Sequence, residues 1–140
     1  MARATPGERL TAVLAQIWRH PDVTIHPDAL DTLAEVLTQT RDPQTRLDAV
    51  RLVILALGDW RLNNPSVELY TGYEPAFPIA GNEVAVEKIA RLVRPLLPSG
   101  KVELDLEAGR FLAMIEDDDL KTPAALAGLI TARSPATIVG

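Results

Sequence analysis

Four dipeptides punctuate this chain: Thr5-Pro6, His26-Pro27, Asp42-Pro43 and Thr122-Pro123. Each opens a stretch that reads as a helix. Proline lacks an N–H, and the first turn of a helix is the one place where that donor is not needed. The residue before proline is pushed towards extended angles, which suits a cap. A chain started four times in this way is constrained to short helices joined by turns.

The apolar residues follow the same plan. In the first segment Leu10, Val13, Leu14, Ile17 and Trp18 fall at i, i+3, i+4, i+7 and i+8, a single stripe on a helix. Thr5 with Glu8 three residues later has capping-box spacing. Pro21 predicts that this helix stops near Arg19 or His20. Leu30, Leu33, Ala34 and Leu37 form the stripe of a second helix that begins at Pro27. Asp42-Pro43 starts a third, apolar over most of its circumference from Leu52 to Leu57 and closed by Gly58. A helix of that kind is buried on several sides.

A fourth helix is expected near Asn82, with Val86, Ile89, Ala90, Val93 and Leu97 inward and Pro95 ending or kinking it. Val102, Leu104 and Leu106 alternate with a period of two, which predicts extended chain entering a fifth helix capped at Asp105. Leu106, Leu112 and Ile115 are its expected inward residues. Thr122-Pro123 caps the sixth. The fold class is therefore all-α: about six helices in αα-hairpins, stacked or bundled as one domain over 1–140.

Between the third and fourth helices lies "DWRLNNPSVELYTGYEPAFPIAGN", Asp59 to Asn82, with no helical period. It holds Trp60, Tyr70, Tyr73 and Phe77, four of the six aromatics in the chain. Connections of this length are often functional. Tyrosine and tryptophan bury large areas at low entropic cost and keep a polar handle. These four are the partner-binding candidates, with the same rings folded over the core as the competing use.

Leu30 to Asp59 resembles one HEAT repeat. The likeness is carried by Asp42-Pro43 at the turn, Arg46 early in the second helix, Ala49 three residues on and the closing Leu57-Gly58-Asp59. The resemblance implies stacked helix pairs, with the turn aspartate and the helix arginine helping to lock neighbouring repeats. The fourth and fifth helices would be a second, degenerate pair, without the Asp-Pro turn or the matching arginine. No fixed period runs through the chain.

Other chemistry finds less support. Cysteine is absent, which removes disulfides, thiolate zinc sites and cysteine nucleophiles. Neither a nucleophile elbow nor a glycine-rich phosphate loop occurs. His20-Pro21-Asp22 matches the loop triplet of J-domain co-chaperones, but no basic residue follows it and the next helix has no aromatic near its end. His20 and His26 with Asp22 and Asp28 form a histidine-carboxylate cluster in sequence. The bland alternative, two helix boundaries, fits the proline series better. Glu116, Asp117, Asp118 and Asp119 are weak candidates for a hard cation held by oxygen. Lacking alternate spacing and a central glycine, they read first as a solvated turn. No metal and no cofactor is implied.

Net charge is -5, so nucleic acid is disfavoured as a partner. No run approaches the ~20 apolar residues of a membrane span, and the cytoplasm is the expected compartment. The closing "ATIVG" suits a docked terminus or a chain that continues. The expected function is a non-enzymatic helical interaction or scaffold module whose partner is another protein or another domain of the same chain. The alternative is an auxiliary subunit or domain of an enzyme, with a small-molecule or cation site near the aromatic loop or the acidic turn.

Overall fold

The computed structural model describes residues 4–20, 26–58, 75 and 78–130. They form α1 (Pro6–Arg19), α2 (Pro27–Gln39), α3 (Pro43–Ala56), α4 (Glu83–Val93), α5 (Val102–Met114) and α6 (Thr122–Leu129), with one turn of 3-10 helix at Arg94–Leu96 after α4. Among the described residues there is no strand, so the all-α expectation holds.

Three of the four proline starts lie where the sequence puts them. Thr5 caps α1 through a reciprocal capping box: its hydroxyl accepts from the Glu8 N–H, and the Glu8 carboxylate accepts from the Thr5 N–H at 2.7 Å. That backbone bond, then the Thr5 hydroxyl, holds the Glu8 carboxyl below its usual range. Asp42 caps α3, accepting the Thr45 hydroxyl and, at 2.8 Å, the Thr45 N–H. His26 stands at the cap position of α2 without a side-chain cap bond. Gly58, at φ 91°, follows the end of α3 in a conformation that suits glycine.

The sixth helix departs from the expected cap. Thr122 is its first residue rather than its cap, and its hydroxyl donates to Asp117 rather than accepting a helix N–H. The fifth departs further. Residues 102–106 are helical, not extended, and Asp105 is inside the helix. The Asp105 carboxylate accepts the Ser99 N–H at 2.7 Å, so it pins the turn before α5 rather than capping the helix. The alternation misled because only Leu104 of the three apolar residues is fully buried, while Val102 is 56% exposed. Once the helix starts at Val102, Leu104, Ala108, Phe111 and Leu112 fall at i, i+4, i+7 and i+8 and face the core. Leu106 and Ile115, expected inward, are only partly buried.

α2 lies beside α3 and α4; α3 lies beside α2 and α5; α1 covers one side of both α2 and α3. The helix expected to be surrounded, α3, thus has three neighbours. Leu47, Ala49, Val50, Val53, Ile54 and Ala56 are all buried in it. α4 meets α5 partly through the 3-10 turn that Pro95 occupies, and α6 lies against α5. Gly109 of α5 makes that approach close, since a Cβ there would sit 2.9 Å from Cδ2 of Leu126. One apolar cluster, centred on Phe111, Leu30, Leu33 and Ile54, runs through α1 to α5. Its side chains are those that lose most by contact with water.

The stripe of α1 divides. Leu10, Val13 and Ile17 are buried, but Leu14 is 37% and Trp18 61% exposed. Five apolar positions span a wider arc than α2 and α3 together cover, so one edge of the stripe is left outside.

Candidate functional site

Trp60, Tyr70, Tyr73 and Phe77 lie outside the described residues. The acidic turn is described throughout, and its four carboxylates do not act as a group. Asp117 points inward with its side chain only 2% exposed. It is bound by Arg94: Nε donates to both carboxylate oxygens at 3.1 Å, and Nη2 donates to Oδ1. The same guanidinium donates to Glu87, from Nη1 to Oε1 at 3.1 Å and from Nη2 to Oε2 at 3.0 Å. Arg94 therefore ties α4 to the turn that follows α5. The Thr122 hydroxyl adds α6 to the same knot through Asp117 Oδ2.

Electrostatics follow from this geometry. The Arg94 hydrogen bonds hold the Asp117 carboxyl below the ordinary carboxylate range against its own desolvation, with help from Thr122. Glu87 is also held low, first by Arg94 and then by Arg91. Arg94 is pushed up by both carboxylates. Asp119 serves the backbone, where Oδ1 accepts the Lys121 N–H at 2.9 Å. Glu116 takes φ 51° as α5 ends. Among the described residues no three of His, Cys, Asp and Glu converge as metal ligands. Asp117, the buried carboxylate of the four, is already engaged by an arginine.

The two histidines do meet. Their rings lie 5.9 Å apart and tilted by 51°, His20 just past α1 and His26 at the entrance to α2. Among the described residues His26 Nε2 is buried with no hydrogen-bond partner. A histidine that neither caps its helix nor satisfies its own nitrogen is a poor choice for the position. His26→Ser supplies a cap oxygen and removes the orphaned atom. It is expected to raise stability by about 1 kcal/mol in a urea melt. A loss of stability would show that the imidazole has a role at this corner beyond marking a boundary.

Two further features escaped the sequence reading. One is the exposed pair Leu14 and Trp18 on the outer side of α1. Their i, i+4 spacing was legible, but which edge of the stripe stays outside depends on where α2 and α3 lie. The other is a cavity of about 420 Å³ beside the acidic turn, lined by Arg91, Arg94, Pro95, Leu112, Lys121 and Ala125 among others. The Glu87, Arg91, Arg94 series has visible charge spacing at i, i+4 and i+7. Its partner Asp117 stands 23 residues from Arg94, beyond any local pattern. No family model, curated protein or solved structure matches the chain, so its function is read from these residues themselves.

Proposed function

We propose that this chain is a non-enzymatic helical interaction module that presents the outer side of α1, together with the 59–82 loop, to another protein or another domain of the same chain. The observation that carries the reading is Trp18, 61% exposed, with the half-exposed Leu14 one turn before it. An exposed pair of large apolar side chains is surface available for a partner to bury. Tryptophan is the residue most enriched among the anchors of protein interfaces.

The arrangement of the helices supports the same reading. α2 and α3 pack side by side across a short turn, with α2 beside α4 and α3 beside α5, while α4 and α5 touch each other less and partly through the 3-10 turn. In this reading the two pairs are HEAT-like units. Arg46 Nε donates to the Thr40 carbonyl at 3.1 Å and Asp42 caps α3, so the residues of the family likeness brace the α2–α3 turn. Stacked helix pairs offer extended faces suited to partners. The aromatics Trp60, Tyr70, Tyr73 and Phe77 remain partner-binding candidates on the sequence alone.

The test compares Leu14→Ser/Trp18→Ser with the wild type for capture of partners from cells of the source organism, beside a thermal melt. Surface changes away from special features move stability by about 0.5 kcal/mol or less. Loss of an anchoring aromatic weakens binding by about 2 kcal/mol or more. The expected result is loss of a reproducibly captured partner with the melt nearly unchanged. Unchanged capture with a lowered melting temperature would make the pair part of the fold and sink the proposal.

A further inference from the structure

The outer side of α1 carries a pattern that the core does not use. Gly7, Thr11, Leu14 and Trp18 follow at spacings of four, three and four, and all are exposed. Residues spaced in this way share one face of a helix, as in the seam of a coiled coil. The face lies beside the buried stripe of Leu10, Val13 and Ile17 rather than on it.

Its two ends are opposites in size and in charge. At one end Trp18 is 61% exposed. At the other, nothing lies within 4 Å of the place where a Cβ on Gly7 would stand. A helical glycine costs stability relative to alanine, and close packing within the chain does not call for this one. The exposed side of α1 bears two charges, Glu8 near the start and Arg19 at the end. Arg9 is turned towards α2, where it donates to Glu35 and Gln39. In a chain of net charge -5 this face is neutral, so two copies can meet on it without net repulsion.

A face whose ends complement each other in reversed order fits a copy of itself turned end for end, which is the self-complementary contact of a two-fold dimer. With Leu14 over Thr11 of the second copy, Trp18 falls over Gly7 of that copy. Arg19 then lies about 3 Å along the axis from the level of its Glu8, within reach of a long side chain. A parallel pair would set Gly7 against Gly7 and like charges against each other.

We propose that the partner of α1 is a second copy of this chain, packed antiparallel, with Trp18 seated over Gly7 and Arg19 beside Glu8, each contact made twice. The proposal rests on the reading of α1 as an interaction face and names what covers it. The seam is short, and small interfaces belong to weak and transient complexes, so the dimer forms with rising concentration.

The experiment is sedimentation equilibrium of the intact chain from micromolar to millimolar concentration, beside a thermal melt at the lowest concentration. The expected result is a monomer–dimer equilibrium. Trp18→Ser should weaken it about 30-fold or more, the loss of an anchoring aromatic. Gly7→Leu should abolish it by filling the space for the indole, with the monomer melt unchanged or raised. Arg19→Glu should weaken it severalfold, and adding Glu8→Arg to that variant should restore it, both effects fading in high salt. A monomer at every concentration would overturn the proposal; if Leu14→Ser/Trp18→Ser still lost a captured partner, the interaction reading would stand. A dimer untouched by Gly7→Leu, or charge reversal without rescue, would overturn the antiparallel contact. A lowered melt for Leu14→Ser/Trp18→Ser in the dilute monomer, with association unchanged, would sink the proposal and the reading together.

Discussion

Arg94→Ala is expected to destabilise the protein by about 3–5 kcal/mol, the usual consequence of removing one partner from a buried ion pair. The reason is Asp117. Its side chain is 2% exposed, and Arg94 supplies its only cationic partner among the described residues. Without the guanidinium, a carboxylate would be left in a dry place with the Thr122 hydroxyl and the Asp119 N–H to solvate it. Glu87 would lose one partner but keep Arg91, at 2.9 Å, and it is open to water. Asp117→Asn should cost less than Arg94→Ala, because an amide is neutral and still accepts.

The pH dependence follows with a definite sign. The folded carboxyl of Asp117 lies below its ordinary value of about 3.9. Its contribution is thus fully present above the unfolded value and is lost as pH falls through the folded one. Arg94→Ala should reverse this for the same group: buried without its partner, Asp117 would take up a proton more readily. The difference in stability between wild type and variant should therefore shrink as pH is lowered from 7 towards 3, in urea melts at each pH. A constant difference across that range would show that the carboxylate is not the group left stranded.

Phe111→Ala is expected to cost about 3–5 kcal/mol, the range for removing a buried aromatic. Phe111 is 0% exposed and lies on α5, whose principal neighbour is α3. Ala108 and Leu112 beside it are held by their own helix, so the space is expected to close only in part. A denaturant melt that moved by less than about 1 kcal/mol would mean that α5 can slide to fill the gap. It would also mean that the α3–α5 contact is softer than its burial indicates.

Helix starts were legible where a proline and a polar cap coincide, because both act locally. Thr5 and Asp42 needed no knowledge of the rest of the chain to be placed. The inward stripe of α4 was legible for the same reason: Val86, Ile89, Ala90 and Val93 are buried as the period demands. At α5 two local signals conflicted. Val102, Leu104 and Leu106 alternate like a strand, while Leu104, Ala108, Phe111 and Leu112 recur like a helix. With no second strand to pair with, tertiary contact with α3 decided in favour of the helix.

The candidate sites were legible in a different measure. The acidic run was visible, but not that Asp117 alone turns inward, because Arg94 reaches it across α5. Thr122 looked like a cap because it precedes proline, yet it lies inside the helix and its hydroxyl donates to a carboxylate, a charge-assisted bond. Trp18 was assigned to the core because one helix cannot reveal how much of its stripe its neighbours will cover.

Among the described residues α6 buries only Thr122 fully and meets mainly α5, and its contacts include the Thr122 hydroxyl on Asp117 and Leu126 over Gly109. Elements with few buried contacts open locally at a free energy well below that of global unfolding. The helix that walls one side of the cavity beside the acidic turn is thus also the segment whose amides should exchange with solvent earliest among the six, and the width of that cavity is set by a local opening equilibrium rather than by the core.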